Sequence, residues 1–214
     1  MAAQARAEAT RQSIIDAAVS LFGELGYSGT DVIDIIDRAE VTKGAFHYHF
    51  KTKQAVAEAI IEEADARTEE AYLRLKTPSS LALEDLVQAS FIAAYVTEQD
   101  RQVRIGNLLR QALAQADSRD SAPYVRRRAA FVDAIADAAR EGDLVGGADP
   151  EAVGHTLWVS TLGAGLMAEV TGDDIFVQLA QVWRIVLTGF VAPNSMARIT
   201  RFIDGMALQY GGSP

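Results

Sequence analysis

A chain of 214 residues with 49% hydrophobic content and a net charge of −9 is long enough for one large or two small domains. The absence of cysteine excludes disulfides, thiolate nucleophiles and cysteine-based zinc sites, and points to a reducing cytoplasm. No apolar run approaches the ~18 residues that span a bilayer, residues 1–6 lack the apolar stretch of a signal peptide, and the acidic balance argues against non-specific coating of nucleic acid.

Glycine and proline fall between long segments of 3.6-residue period, and nothing alternates as a strand does, so the chain is expected to be all-α. The first helix is expected over 6–25, with Ile14, Ile15, Ala18, Leu21, Phe22 and Leu25 on its buried face, ended by Gly26-Tyr27-Ser28-Gly29. Thr30 is the expected cap of a short second helix burying Val32, Ile35, Ile36 and Ala39. Thr42 caps a third over 43–50, and Thr52 a fourth reaching residue 75, a rod of ~35 Å at 1.5 Å per residue. Breaks at 77–80 and 117–123 separate further helices over 81–97, 101–116 and 124–140. Asp149-Pro150-Glu151 combines a cap, a first-turn proline and an acid on the helix dipole, opening a helix to 170. Helices over 175–191 and 195–208 complete a three-helix head, residues 1–51, and a larger helical body, 52–214.

The most informative stretch is 41–57, whose only charged residues are Lys43, Lys51 and Lys53 in an otherwise acidic chain. A short helix reads DNA when its N-terminal residues reach base edges and its flanks grip phosphates. Gly44 and Ala45 let backbone approach the groove, and Ala45 can touch a thymine methyl. Lys43 can reach a guanine edge or a phosphate, and the exposed Tyr48 hydroxyl suits a phosphate. Lys51 and Lys53 stand at the start of the fourth helix, where free amides and the dipole favour an anion; Thr30 does the same for the second. Phe46 and Phe50 belong to the core in any reading. His47 and His49 are two residues apart and fall on opposite helix faces, so they form no metal pair; none is expected. No Gly-x-Ser-x-Gly, phosphate loop or histidine–carboxylate motif appears among the three histidines, and neither an enzyme nor a cofactor is expected.

Together, Thr30, Asp34-Ile35, Ala39, Val41-Thr42-Lys43-Gly44-Ala45-Phe46, Tyr48-His49-Phe50-Lys51 and Lys53 resemble the DNA-binding head of the tetracycline-repressor (TetR) family. The resemblance implies that Thr30, Thr42, Lys43, Gly44, Tyr48 and Lys53 contact double-stranded DNA. The family usually carries tyrosine at position 47, glycine at 40 and a small residue at 36; His47 can still donate to a phosphate, and Glu40 puts an acid beside the duplex.

The body resembles the γ-butyrolactone receptor branch in two stretches. They are Pro123-Tyr124 leading to Ala139-Arg140-Glu141-Gly142-Asp143-Leu144, and Asp149-Pro150-Glu151-Ala152 through Trp183-Arg184 to Pro193. That branch has a pocket tryptophan one turn after Pro-Tyr, where Arg126-Arg127-Arg128, expected in solvent, stand here. Phe91, Tyr95, Asn107, Gln111, Tyr124, Phe131, Trp158 and Thr161 dot the apolar faces of the body, as in cavities that hold small ligands. His155 is expected to be structural or at an interface. Small residues from Ser160 to Ala168, with Leu179, Val182, Trp183, Val186, Leu187 and Phe190, suggest a homodimer seam through helices at 150–170 and 175–191. The resemblance implies a homodimeric, ligand-responsive repressor that a small-molecule effector releases from a pseudo-palindromic operator. The effector is a γ-butyrolactone-type signal or, in the alternative, an antibiotic or drug.

Overall fold

The structure is a computed structural model and describes residues 2–77, 81–116 and 122–211. Among these, ten helices appear and no strand beyond an isolated bridge, Leu144 to Val191. Of the breaks expected at 77–80 and 117–123, residues 78–80 and 117–121 lie outside the described residues, and residues 122 and 123 belong to the helix that follows. The chain divides into two compact units, Met1–Glu70 with Thr97–Asp120, and Ala71–Val96 with Ser121–Pro214. The first unit contains the head expected at 1–51 together with residues 52–70 and the segment 97–120.

In the first unit, α1 (Ala2–Leu25) buries Ile14, Ile15, Ala18, Leu21 and Phe22. Leu25, expected on the same face, is 54% exposed, because the helix stops there: Gly26, at φ +71°, turns the chain away. α2 (Val32–Arg38) and α3 (Lys43–His49) bring Ile35, Phe46 and Phe50 against that face. The first turns of α4 (Lys53–Leu75) add Val56, Ala57 and Ile60, and α6 (Arg101–Ala116) adds Ile105 and Leu109. α6 lies close on α4 at Gly106, where a β-carbon would stand 2.5 Å from that of Ala64. Polar pairs bound this contact: Arg110 with Asp65 at 2.6 Å, Gln102 with Glu63 at 2.5 Å, and Arg67 with Asp100 at 2.8 Å.

In the second unit, α5 (Ala82–Gln99), α7 (Ala122–Arg140), α8 (Pro150–Thr171), α9 (Ile175–Leu187) and α10 (Pro193–Tyr210) contribute a separate core around Trp183. Trp183 is wholly buried and its indole N–H donates to Ser90 Oγ at 2.9 Å, which satisfies its one polar atom. α8 starts as its sequence dictates: Asp149 accepts from the Glu151 amide at 3.1 Å ahead of Pro150. α9 ends at Leu187 rather than 191, because the chain from Phe190 to Ala192 is drawn into pairing with 143–145. Val145 N donates to Phe190 O, and Ala192 N to Asp143 O, both at 2.8 Å. Beneath that bridge the buried Asp143 carboxylate accepts from Ser195 Oγ at 2.6 Å and from Arg198 at 2.5 Å. Burial alone would push the Arg198 guanidinium down, but Asp143 and Glu84 outweigh it and hold its pKa above the ordinary arginine value.

Candidate nucleic-acid interface and effector region

The third helix is short and depends on its ends. Thr42 Oγ1 accepts from the Ala45 amide at 3.1 Å, which fixes the first turn, and Phe46 and Phe50 seat the helix on the first unit's core. This leaves Thr42, Lys43 and Gly44 exposed along the first turn, Tyr48 at 76% exposure one turn on, and Ala45 and His47 half-buried. No ion pair among the described residues engages Lys43. The arrangement offers a cation, a bare backbone and a phenol hydroxyl on a helix that itself carries no acid, which suits phosphates and base edges.

Other expected contacts have internal partners. Thr30 is fully buried, and its hydroxyl donates to Gly26 O at 2.9 Å. The cap of α2 is Asp31, with the Asp34 carboxylate accepting the Asp31 amide at 2.8 Å, so Thr30 neither caps that helix nor presents a hydroxyl to a phosphate. Lys53 Nζ donates to Tyr27 O at 2.8 Å and Thr30 O at 2.7 Å, and lies 4.5 Å from the centre of the Tyr27 ring. Its ammonium thus ties the start of α4 to the α1–α2 loop. Lys51 Nζ donates to His47 O at 2.6 Å, closing the C-terminal end of α3, where a cation suits the dipole. Local pattern located these cations but carried no signal for carbonyl partners more than twenty residues away.

The residues expected at an effector site are distributed over both units. In the second, the buried Phe91 stacks on Phe176 with ring centres 6.3 Å apart, and Tyr95 meets Tyr210 at 5.3 Å. Phe176 and Tyr210 were not anticipated, although aromatics at the start of α9 and the end of α10 were visible in the sequence. Burial, then the neighbouring Tyr95, pushes the Tyr210 hydroxyl above its ordinary pKa. Tyr124 packs edge-on against Trp158 at 6.2 Å, and the exposed His155 lies 6.0 Å from the Trp158 ring centre. Phe131 is half-buried against the unit's core. Thr161 turns its hydroxyl back onto its own helix, at Leu157 O, 2.9 Å, and Trp158 O, 3.0 Å. Arg126 and Arg127 are exposed, and Arg128 pairs with Glu151 at 3.1 Å. Asn107 and Gln111 belong to the first unit, where Asn107 bonds Thr97 and Arg110, each at 3.1 Å.

Residues 14–60 match the bacterial regulatory proteins of the tetR family. Over 202 residues the chain is 29% identical to the A-factor receptor protein of Streptomyces griseus, a match covering 93% of this chain and 70% of that one. The crystal structure of a γ-butyrolactone receptor (ArpA-like protein) shares 30% identity at a TM-score of 0.77, covering 95% of this chain and 99% of that one. The structure of CprB from Streptomyces coelicolor in complex with its biological operator sequence shares 31% identity at a TM-score of 0.74, again over 95% and 99%. The chain belongs to the TetR family. It is a TetR-type transcriptional regulator of the helix-turn-helix class, similar over almost its whole length to γ-butyrolactone receptors.

In this TetR chain several residues expected at a dimer seam are committed to the chain's own core. Leu179, Trp183, Leu187 and Phe190 are buried in the chain's own core. The outward face instead carries Leu162, Leu166, Met167 and Val170 of α8 with Val177 and Ile185 of α9. Between the two helices runs an open groove of about 360 Å³, floored by Gly163 and Ala164 and edged by Met167, Val182, Ile185 and Val186. None of the described helices is long and apolar enough to cross a membrane.

One feature of the TetR head makes its stability depend on acid. Arg38 of α2 donates through both terminal nitrogens, each at 3.1 Å, to the Glu24 carboxylate of α1, which also accepts from Ser20 at 2.8 Å. The Arg38 hydrogen bond, then that from Ser20, holds the Glu24 pKa at about 2 instead of 4.5. A carboxylate with a depressed folded-state pKa stabilises fully above its unfolded value and loses that contribution as pH falls towards the folded one. Melting of the E24Q variant and the parent is therefore expected to differ most at pH above about 5 and to converge towards pH 2; a gap that widens on acidification would contradict the assignment.

Proposed function

We propose that the chain is a homodimeric, ligand-responsive repressor that grips a pseudo-palindromic operator through Thr42, Lys43, Gly44, Ala45, His47 and Tyr48, with Lys51 beside them. A small-molecule effector held in the second unit releases it. The observation that carries this reading is the exposed, cation-bearing first turn of α3, held by its Thr42 cap and by Phe46 and Phe50. It is supported by the operator complex of the 31%-identical CprB. Two heads on one dimer would meet half-sites ~34 Å apart.

The effector proposed is a γ-butyrolactone-type signal, on the strength of relatives named for that ligand. Candidate contacts are Phe91, Tyr95, Tyr124, Phe131, Trp158 and Thr161 in the second unit. The tract Arg126-Arg127-Arg128 favours a second reading, a sensor of an antibiotic or drug, since it stands where the branch has a pocket tryptophan. α4 and α5 each run through the boundary between the units, and α4 is the proposed lever from effector to head. A near-complete switch needs about 5.5 kcal/mol of preference for the DNA-free state. The test is a gel shift on duplexes selected from a random-sequence pool, followed by titration with γ-butyrolactones, furans and antibiotics. Release is expected with one class. The same compound at 100 times its dissociation constant should stabilise the protein by about 2.7 kcal/mol in thermal melting. Binding of no duplex at all would overturn the repressor reading.

A further inference from the structure

We propose that Glu40 is a built-in brake on operator affinity: a carboxylate held beside the phosphate-facing turn of α3 that keeps DNA binding weaker than the fold allows. The inference rests on the DNA-binding reading above and concerns a residue outside its contact set.

Glu40 ends the turn that follows α2, with its amide donating to Asp37 O at 3.2 Å. Among the described residues it is the only non-glycine with left-handed backbone, at φ +54°. That conformation crowds a β-carbon and is one that glycine adopts freely, so a glutamate here strains the turn. Strain retained at one position invites a functional reason for the side chain. The side chain has no structural task. It is exposed, and no ion pair among the described residues engages it. The nearby guanidinium, Arg38, is held by Glu24 in a two-pronged ion pair and does not neutralise it. The exposed Asp16 lines the same shallow depression as Glu40, the exposed Asp37 accepts the Glu40 amide through its carbonyl, and Lys43 lies three residues on.

Position then decides its effect. Glu40 precedes the Thr42 cap by two residues, at most ~7.6 Å of chain. A phosphate gripped by Thr42 or Lys43 is thus held only two or three residues from this carboxylate, a separation comparable with the Debye length of ~10 Å at 0.1 M salt. Like charges at that separation repel, and a single such charge moves an equilibrium constant by about three- to tenfold in the dielectric of a protein surface.

The test uses the full chain and two DNA probes, a duplex selected from a random pool by the parent protein and an unselected duplex of equal length. E40Q removes the charge and keeps the backbone problem; E40G removes both. E40Q is expected to bind both probes about three- to tenfold more tightly in low salt, with the gain shrinking as salt rises and no change in melting temperature. E40G is expected to match that gain and to melt about 2–4 °C higher. Unchanged or weaker binding by folded E40Q overturns the proposal, as does a gain independent of salt. The double variant K43A/Y48A separates this from the underlying reading. If it loses DNA while E40Q changes nothing, only the brake is wrong; if it binds like the parent, the recognition surface itself is misplaced and the brake falls with it.

Discussion

Replacing Lys43 and Tyr48 together by alanine is expected to reduce affinity for a selected operator duplex by at least about a hundredfold while leaving the melting temperature unchanged. Both side chains are exposed, and neither contributes to the core that Phe46 and Phe50 build, so the fold has little to lose. The Thr42–Ala45 cap and the short helix it starts remain. What disappears is one cation and one hydroxyl per head. A bidentate base contact discriminates by about 1–3 kcal/mol, and each lost phosphate contact flattens the dependence of log affinity on log salt by about 0.9. Two heads double the loss. K53A supplies the contrast, since the Lys53 ammonium is bound to Tyr27 O and Thr30 O. Its removal should lower the melting temperature first and affinity only through the loosened head. Full operator affinity in K43A/Y48A, measured by fluorescence anisotropy across a salt series, would reject α3 as the reading element.

These contrasts also mark where the sequence was readable. Helix starts were legible because caps are local: Thr42, Thr52 and Asp149-Pro150 each sit within three residues of the amide they serve. At the start of α2, Thr30 and Asp31 are both competent caps, and only the buried hydroxyl of Thr30 decides between them. The family was legible because its motif falls within residues 30–53, and the resemblance to its branch because two further stretches, 123–144 and 149–193, carry it. The extent of the first unit was not, because α6 joins α4 through Gly106 and Arg110 from more than forty residues away. α9 failed differently. Its period is clear, with Gln178, Gln181 and Arg184 marking the outward side that also carries Val177 and Ile185, but period alone cannot say whether the side carrying Leu179 and Trp183 meets the chain's own core or a second copy. Its end is set by the Leu144–Val191 bridge, which no stretch of α9 announces.

The outward side of α8 and α9 leads to the second large effect. The double variant M167D/I185D is expected to convert a dimer into a monomer and to lose most operator affinity without touching the head. Met167 is 51% exposed and Ile185 68% exposed, at the edges of a groove whose floor is Gly163 and Ala164. Small floor residues let a facing helix approach, and large apolar edges give that helix something to bury. If two copies close on this face, each acid is trapped without a partner, at a cost of several kcal/mol per buried charge. In a single chain the same acids stay in water, because both positions lie outside the core around Trp183, so the monomer should melt as a folded protein. DNA binding falls for a separate reason: joining two heads raises affinity for paired half-sites by about 10²–10⁴ without any new contact, and a monomer forfeits that factor. L25D, an equally drastic change at a residue 54% exposed in the first unit, serves as the control and should remain dimeric. Light scattering coupled to gel filtration decides the matter. A dimeric M167D/I185D would show that the two copies meet through another surface, and an L25D monomer would show that the assay reports surface charge rather than this face.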